Sequence, residues 1–415
     1  NVYERADKLD RAAGYIRDRL DEFAHVTTAE SGKPLRQSRG EWSVAADFFE
    51  WFGEEAKRAY GRVVPARTPG RRIHTLLQPL GVAGVITAWN FPAYNPARSV
   101  AAALAAGCTV VCRPAEDTPL SGMLLAEAAE AAKLPPGVFN VISGDPAGMA
   151  GAMMADPACR KMSFTGSTRV GKLLMQQAAE TLTGLALELG GNAPVLVFDD
   201  IDVEEVARSA VAAKFRNAGQ VCISPQRIMV QESLLERFVE VAAEEVAKLK
   251  LGPGNDPETD VGPLINAKQL DRVCKLLDGA KSAGAKVHLG GERPDGPGNF
   301  LTPALVTGVS RDDPLWNEET FGPVMVVDGF QKEADALAEA NRLEAGLAAY
   351  AFTNHLARAV RVYEGLDYGM VAVNSWVPSA TEAPFPGWKQ SGQGMEAGPE
   401  GLMEYLETKV VSLNL

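Results

Sequence analysis

From residue 82 to residue 188, short apolar strands and helical stretches alternate without a break, and no other feature restricts the fold as much. A buried strand in "GVAGVITAWNFP" stops at Pro92. Helix 96–106 then leads to strand "CTVVC", helix 120–133 to "VFNVI", helix 147–155 to "KMSF" and helix 170–181 to "LALEL". Short apolar strands separated by helices form parallel βαβ units. The fold class is therefore α/β, with ligands expected outside the C-terminal ends of the strands. A second α/β pattern begins near Ala193 with "APVLVF" and runs to about Asn374. Ahead of both, residues 2–30 read as one amphipathic helix and 41–61 as another. The tail "EYLETKVVSL" reads as an edge strand able to pair with another chain.

A chain of 415 residues has room for two or three domains. Its formal charge of −12 argues against a nucleic-acid surface, which needs a basic face. The longest apolar run, 100–112, is shorter than the ~20 residues that span a bilayer. The cysteines Cys108, Cys112, Cys159, Cys222 and Cys274 have neither disulfide-framework nor metal-ligand spacing. A reducing, cytoplasmic setting and no metal are expected.

Cys222, in "FRNAGQVCISPQR", has none of the four histidines near it in sequence: these are His25, His74, His288 and His355. A lone thiol is either a small core hydrophobe or a nucleophile served by a different base. Glu188 ends an apolar strand and precedes two glycines. Burying a carboxylate unpaired is costly, so it is either a general base of raised pKa or a structural acid held by backbone N–H groups. The glycines allow another segment to approach closely. Asn90, at the end of a buried strand, is an oxyanion donor or a turn former. In "SFTGSTRVGKLL", Gly166 and Ser167 open a helix whose N-terminus suits a phosphate, although the spacing is not GxGxxG and an ordinary turn reads equally well. Arg113 and Glu116 follow another strand, where they either grip ribose hydroxyls or sit in a solvated loop capped at Thr118.

Taken together, "PLGVAGVITAWNFP", "RPAEDTPLS", "FTGSTRVGK", "LELGGNAPVLVFDDID", "FRNAGQVC", "NEETFGPVM" and "PFPGWKQSGQG" resemble the aldehyde dehydrogenase superfamily, along nearly the whole chain. The resemblance implies a Rossmann-type NAD(P)-binding domain from 1–60 and 80–190, a catalytic domain from 191–390, and an oligomerisation element from 61–79 and 400–415. It implies a homodimer or homotetramer, and an N-terminal arm preceding Asn1. Cys222 matches the nucleophile, Glu188 the base, and Asn90 with the Cys222 N–H the oxyanion hole. Glu319 and Phe321 match nicotinamide contacts. Thr87, Trp89, Gly166, Ser167 and Val170 line the same cofactor path, with Arg113 and Glu116 at the adenosine ribose.

Within the family the chain is similar to dehydrogenases of succinic and α-ketoglutaric semialdehyde. Arg98 and Arg216 match arginines that hold the substrate's far carboxylate, with Ser379 adding a hydroxyl, and guanidinium suits bidentate carboxylate binding. The alternative for Arg98 is a surface ion pair. Two positions depart from the pattern. Ser99 replaces a lysine near the oxyanion site, and Arg113 replaces the ribose lysine. Arg113 tolerates a 2′-phosphate but Glu116 repels one, so NAD is expected over NADP. The competing readings are a non-catalytic scaffold of the same fold, a dehydrogenase of a neutral aldehyde, and a CoA-acylating relative, which the presence of Glu188 disfavours.

Overall fold

The computed structural model describes residues 1–414. Its first sheet has six strands in the order Phe139–Val141, Thr109–Arg113, Val82–Ile86, Cys159–Thr165, Gly184–Glu188 and Gly392–Gln393. The first five are parallel, and Gly392–Gln393 closes the edge antiparallel to Gly184–Glu188. Val82–Ile86 carries no polar side chain and is covered on both faces, the usual condition of a parallel strand. From it the chain steps outward to Phe139–Val141, then returns to build the other side. The strand order thus reverses at the C-terminal end of Val82–Ile86, where a doubly wound sheet opens a crevice. Residues 87–91 leave the sheet at that point.

The second sheet has seven strands, in the order Lys286–Leu289, Ala304–Thr307, Val324–Phe330, Pro225–Gln231, Ala193–Val197, Ala348–Phe352 and Met370–Val373. All pairings are parallel except that of Lys286–Leu289. Register brings Thr165, Glu188 and Gly392 side by side, so the late segment 385–396 returns to the first sheet beside Glu188.

A third sheet joins Arg62–Val64, Arg71–Pro79 and Leu406–Asn414, the last two paired over nine residues. It is mostly exposed, and the second edge of Leu406–Asn414 has no partner strand among the described residues.

Two expectations from periodicity differ from the structure, the first being the helix read over 41–61, which runs Leu35–Ala56. Residues 2–30 form two helices, Val2–Asp18 and Leu20–Ser31, parted at Arg19 with φ −112° and ψ 21°. The first buries Leu9 and Ile16, and the second buries Phe23 and Thr27. Arg19 bridges the joint, its guanidinium 5.3 Å from the Tyr15 ring and 5.4 Å from the Phe23 ring. A one-residue kink keeps the apolar period nearly in phase, so the pattern alone does not reveal it. The second helix stops at Gly32, whose φ of 74° and following Pro34 end it as expected. No helix among the described residues is long and apolar enough to cross a membrane.

Candidate active site

The segment before Cys222 is unusually tight. Helix Val203–Phe215 ends, and Asn217 (φ 50°), Ala218 (φ 53°) and Gly219 (φ 74°) all adopt left-handed backbone. Such a run is strained unless its surroundings hold it. The Asn217 N–H donates to Gln37 Oε1 at 2.8 Å, and Asn217 Nδ2 donates to the Asn90 main-chain oxygen at 2.9 Å. A Cβ on Gly219 would lie 2.1 Å from the Gly322 oxygen, so only glycine fits there. The turn delivers Cys222 half-buried into a cavity. Its Sγ makes no hydrogen bond, and its main-chain N–H has no partner among the described residues. Burial pushes the Cys222 thiol up to about 12, with the charge of Glu319 adding to the effect and Arg98 and Arg216 opposing it. The resting thiol is neutral.

Glu188 is 3% exposed and its carboxyl accepts no hydrogen bond among the described residues, with Oε2 fully buried. This removes the reading of a structural acid held by backbone N–H groups. Burial holds its pKa well above the ordinary carboxylate range; Arg98 lowers it and Glu396 raises it further. The two glycines after it do what their sequence suggests. A Cβ on Gly191 would lie 2.3 Å from the Cys222 oxygen, and one on Gly190 2.8 Å from Glu319 Oε2. The Gly191 N–H also donates to Glu319 Oε1 at 3.2 Å. The turn after Glu188 therefore packs directly on both the thiol loop and Glu319, whose pKa burial raises to about 7.

Asn90 is fixed from several sides. Its Nδ2 donates to the Gln220 oxygen at 3.1 Å, tying it to the thiol loop. Its own main-chain oxygen accepts from Lys33 Nζ at 2.8 Å as well as from Asn217. Lys33 is fully buried and ion-paired with Glu41, whose other oxygen accepts from the Ala93 N–H at 2.8 Å. Burial lowers the Lys33 pKa while Glu41 supports its charge. Neither Lys33 nor Glu41 stood out in the sequence, although "SGKPLRQSRGE" carries a lysine and a glutamate that both end up buried.

The cavity measures about 450 Å³, suited to a small molecule. It brings together Asn90, Arg98, Gly166, Glu188, Arg216, Cys222, Glu319, Phe321 and Ser379 from the sequence reading. Thr87, Trp89, Arg113, Glu116, Ser167 and Val170 do not line it. Most of these lie along the strand C-termini of the first sheet, and Trp89 packs edge-on against Phe321 at 5.4 Å.

Arg98 differs from the expectation of an arginine free for a ligand, and equally from that of a surface pair. It is 2% exposed, and its Nη2 meets Glu396 Oε2 at 2.5 Å. It sits against the Phe385 ring at 4.3 Å, and its Nε and Nη1 have no hydrogen-bond partner among the described residues. Ser99 explains the arrangement. Its hydroxyl donates to Glu396 Oε1 at 2.6 Å, and that of Ser163 does so at 2.7 Å. A serine here needs no countercharge, which leaves Glu396 to Arg98. Removing one partner of a buried pair strands the other charge, at a cost of about 3–5 kcal/mol. Glu396→Ala is expected to lose stability on that scale in urea unfolding, whereas Glu258→Ala, in an exposed pair with Lys250, is expected to lose about 0–1 kcal/mol.

The crevice at the strand ends fits a dinucleotide. Thr87 Oγ1, Thr165 Oγ1 and Arg113 Nε are buried without partners among the described residues. Arg113 Nη2 donates to Glu116 Oε2 at 2.6 Å. Ser167 caps helix Thr168–Thr181 by accepting from the Val170 N–H at 3.4 Å. Val170 is therefore occupied as a donor, and the free N–H groups of that terminus belong to its neighbours.

With this geometry in view, the aldehyde dehydrogenase family pattern matches residues 1–411. The chain belongs to that family. It is 43% identical over 412 residues to the NADP(+) succinate-semialdehyde dehydrogenase of Escherichia coli K12, covering 99% of this chain and 86% of that one. It is 43% identical over 410 residues to glutarate-semialdehyde dehydrogenase of Pseudomonas aeruginosa, covering 99% and 85%. A crystal structure of betaine aldehyde dehydrogenase from Staphylococcus aureus in complex with NAD+ superposes with a TM-score of 0.97 at 35% identity, covering 100% and 83%. The protein is thus an oxidoreductase of the aldehyde dehydrogenase family. Within its site the sequence reading missed Lys33, Glu41, Glu396 and Trp376. Trp376 lines the cavity, and its Nε1 is a buried donor without a partner.

Proposed function

We propose that this aldehyde dehydrogenase oxidises a small aldehyde carrying a distal carboxylate, of the succinic, glutaric or α-ketoglutaric semialdehyde kind, to the acid. The observation that carries the reading is Arg216. It lines the cavity with Cys222 and Glu188, its guanidinium lies 5.5 Å from the Phe91 ring, and it has no carboxylate partner among the described residues. Arg98 Nε, Arg98 Nη1 and Trp376 Nε1 add unpartnered donors on lining residues. Buried donors without acceptors favour a ligand that brings them.

Glu188, in its ionised form, accepts the thiol proton as Cys222 Sγ bonds to the aldehyde carbon. The carbonyl oxygen becomes an oxyanion, stabilised by Asn90 Nδ2 and the Cys222 N–H. The carbon then loses a hydride and becomes a thioester. Thr87, Thr165, Arg113 and the start of helix Thr168–Thr181 would hold a nicotinamide dinucleotide along the strand ends, and that group, when bound, would supply the hydride acceptor. With its proton released, Glu188 next takes one from water, which attacks the thioester and frees the acid and the thiol. Glu116 lies beside Arg113 at the expected ribose position, and its charge opposes a 2′-phosphate. The expected outcome is a higher kcat/KM with NAD than with NADP, read by comparing the two at saturating aldehyde.

Residues 1–60 and 80–190 are assigned to the cofactor and 191–390 to catalysis. The element of 61–79 and 400–415, which carries the exposed strands Arg62–Val64, Arg71–Pro79 and Leu406–Asn414, is assigned to a homodimer or homotetramer, and the cell compartment to the cytoplasm. Arg216→Ala tests the substrate class. Charged hydrogen bonds are worth about 1.5–3 kcal/mol, so KM for succinic semialdehyde is expected to rise about 10- to 100-fold while that for hexanal barely moves. Equal effects on both aldehydes would remove the carboxylate assignment. Arg98→Ala is a poorer test, because it also strands Glu396.

A further inference from the structure

Asn95 sits in the first turn of helix Tyr94–Ala106, 5% exposed, and lines the cavity. Its Nδ2 donates to Asn90 Oδ1 at 3.1 Å. The direction of that bond follows from its neighbours. Asn90 Nδ2 meets the main-chain oxygen of Gln220 at 3.1 Å, and a carbonyl oxygen can only accept. The nitrogen end of the Asn90 amide must therefore face Gln220. Its oxygen then faces Asn95, which must present its own NH2. One main-chain carbonyl sets both amides. The Asn90 backbone is held separately, by Lys33 and Asn217, and the Asn95 N–H is tied to the Phe91 oxygen at 2.9 Å. Among the described residues, the Asn90 amide thus makes two hydrogen bonds, to the Gln220 oxygen and from Asn95 Nδ2.

We infer that Asn95 is a positioning residue for the oxyanion donor: it holds Asn90 Oδ1 away from the reacting oxygen and so keeps an Nδ2 hydrogen directed at it. The inference rests on the oxyanion role given to Asn90 above. An amide turned over would present an acceptor to a developing negative charge, and repulsion would replace stabilisation.

The test compares Asn95→Leu with Asn95→Asp, each alone and combined with Asn90→Ala. Leucine removes the donor; aspartate keeps the shape but sets an acceptor against Asn90 Oδ1. Assayed well above the carboxylate range, kcat is expected to fall about 5- to 10-fold for leucine. For aspartate it is expected to fall on the order of 10²-fold, the scale of a lost oxyanion donor. KM for the cofactor stays unchanged in both, which reports an intact fold. In the Asn90→Ala background the two Asn95 variants are expected to give equal kcat, because the group they orient is gone. A packing role predicts the reverse order, with aspartate milder than leucine. That order, or an aspartate penalty that persists without Asn90, overturns the inference and leaves the dehydrogenase reading standing. Wild-type protein that oxidises no aldehyde overturns both.

Discussion

Cys222→Ala is expected to lower kcat/KM for aldehyde oxidation by on the order of 10⁴-fold or more, with cofactor affinity and unfolding midpoint close to those of the parent. The size of the effect follows from the mechanism. Without Sγ there is no covalent hemiacetal, and the hydride would have to leave an unactivated aldehyde. The specificity follows from the structure. Sγ makes no hydrogen bond and the side chain is half-buried at the cavity wall, so its loss opens little space and strands no partner. The tight turn that carries it is held by Asn217, Gly219 and Gln37, none of which contacts the thiol through a hydrogen bond. Cofactor binding by the variant, followed by fluorescence quenching, separates lost chemistry from lost fold. A variant retaining a tenth of the activity would exclude Cys222 as nucleophile.

Glu188→Gln is expected to lower kcat by about 10²- to 10⁴-fold, the usual contribution of a general base. Its pre-steady-state trace should differ from that of Cys222→Ala. Some reduced cofactor forms in a single slow turnover, after which the reaction stalls at the thioester. The pH dependence follows from the burial of Glu188. Only the ionised carboxylate accepts a proton, and its pKa lies well above the carboxylate range, so wild-type acid release rises with pH through that raised value. The glutamine variant loses that limb. Stability runs the other way. The folded protein holds this proton more tightly than the unfolded chain does. Ionisation therefore costs stability as pH rises from the ordinary carboxylate pKa through the folded one. Glu188→Gln escapes the cost, and its stability relative to wild type should increase with pH. A flat difference across that range would mean that Glu188 titrates normally.

The βαβ alternation was legible because parallel strands buried on both faces leave a clear apolar signature. The strands from Val82 to Glu188, and Ala193–Val197 after them, fall close to where the sequence places them, whereas the later strands of the second sheet and Gly392–Gln393 were not individually legible. The break at Arg19 was not legible, because a kink of one residue barely shifts an apolar period. At the site, Cys222, Glu188 and Asn90 stood out by local anomalies: a thiol without histidine, an acid in an apolar strand, an amide before Phe-Pro. Lys33, Glu41 and Glu396 did not, because their meaning comes from partners far along the chain. Lys33 reaches Asn90 across 57 positions, and Ser99 reaches Glu396 across 297. Arg98 shows the same limit in another form. Its position in sequence marked it for a ligand, yet only the fold shows that Glu396 already holds one nitrogen of its guanidinium.

The measurement that bears most directly on the account is mass spectrometry of Glu188→Gln protein quenched after exposure to NAD and succinic semialdehyde. A succinyl group on the peptide that contains Cys222, absent when NAD is omitted and absent from the Cys222→Ala, Glu188→Gln double variant, is the predicted result. Reduced cofactor produced with no acyl group on that peptide, or an acyl group on another residue, would contradict it.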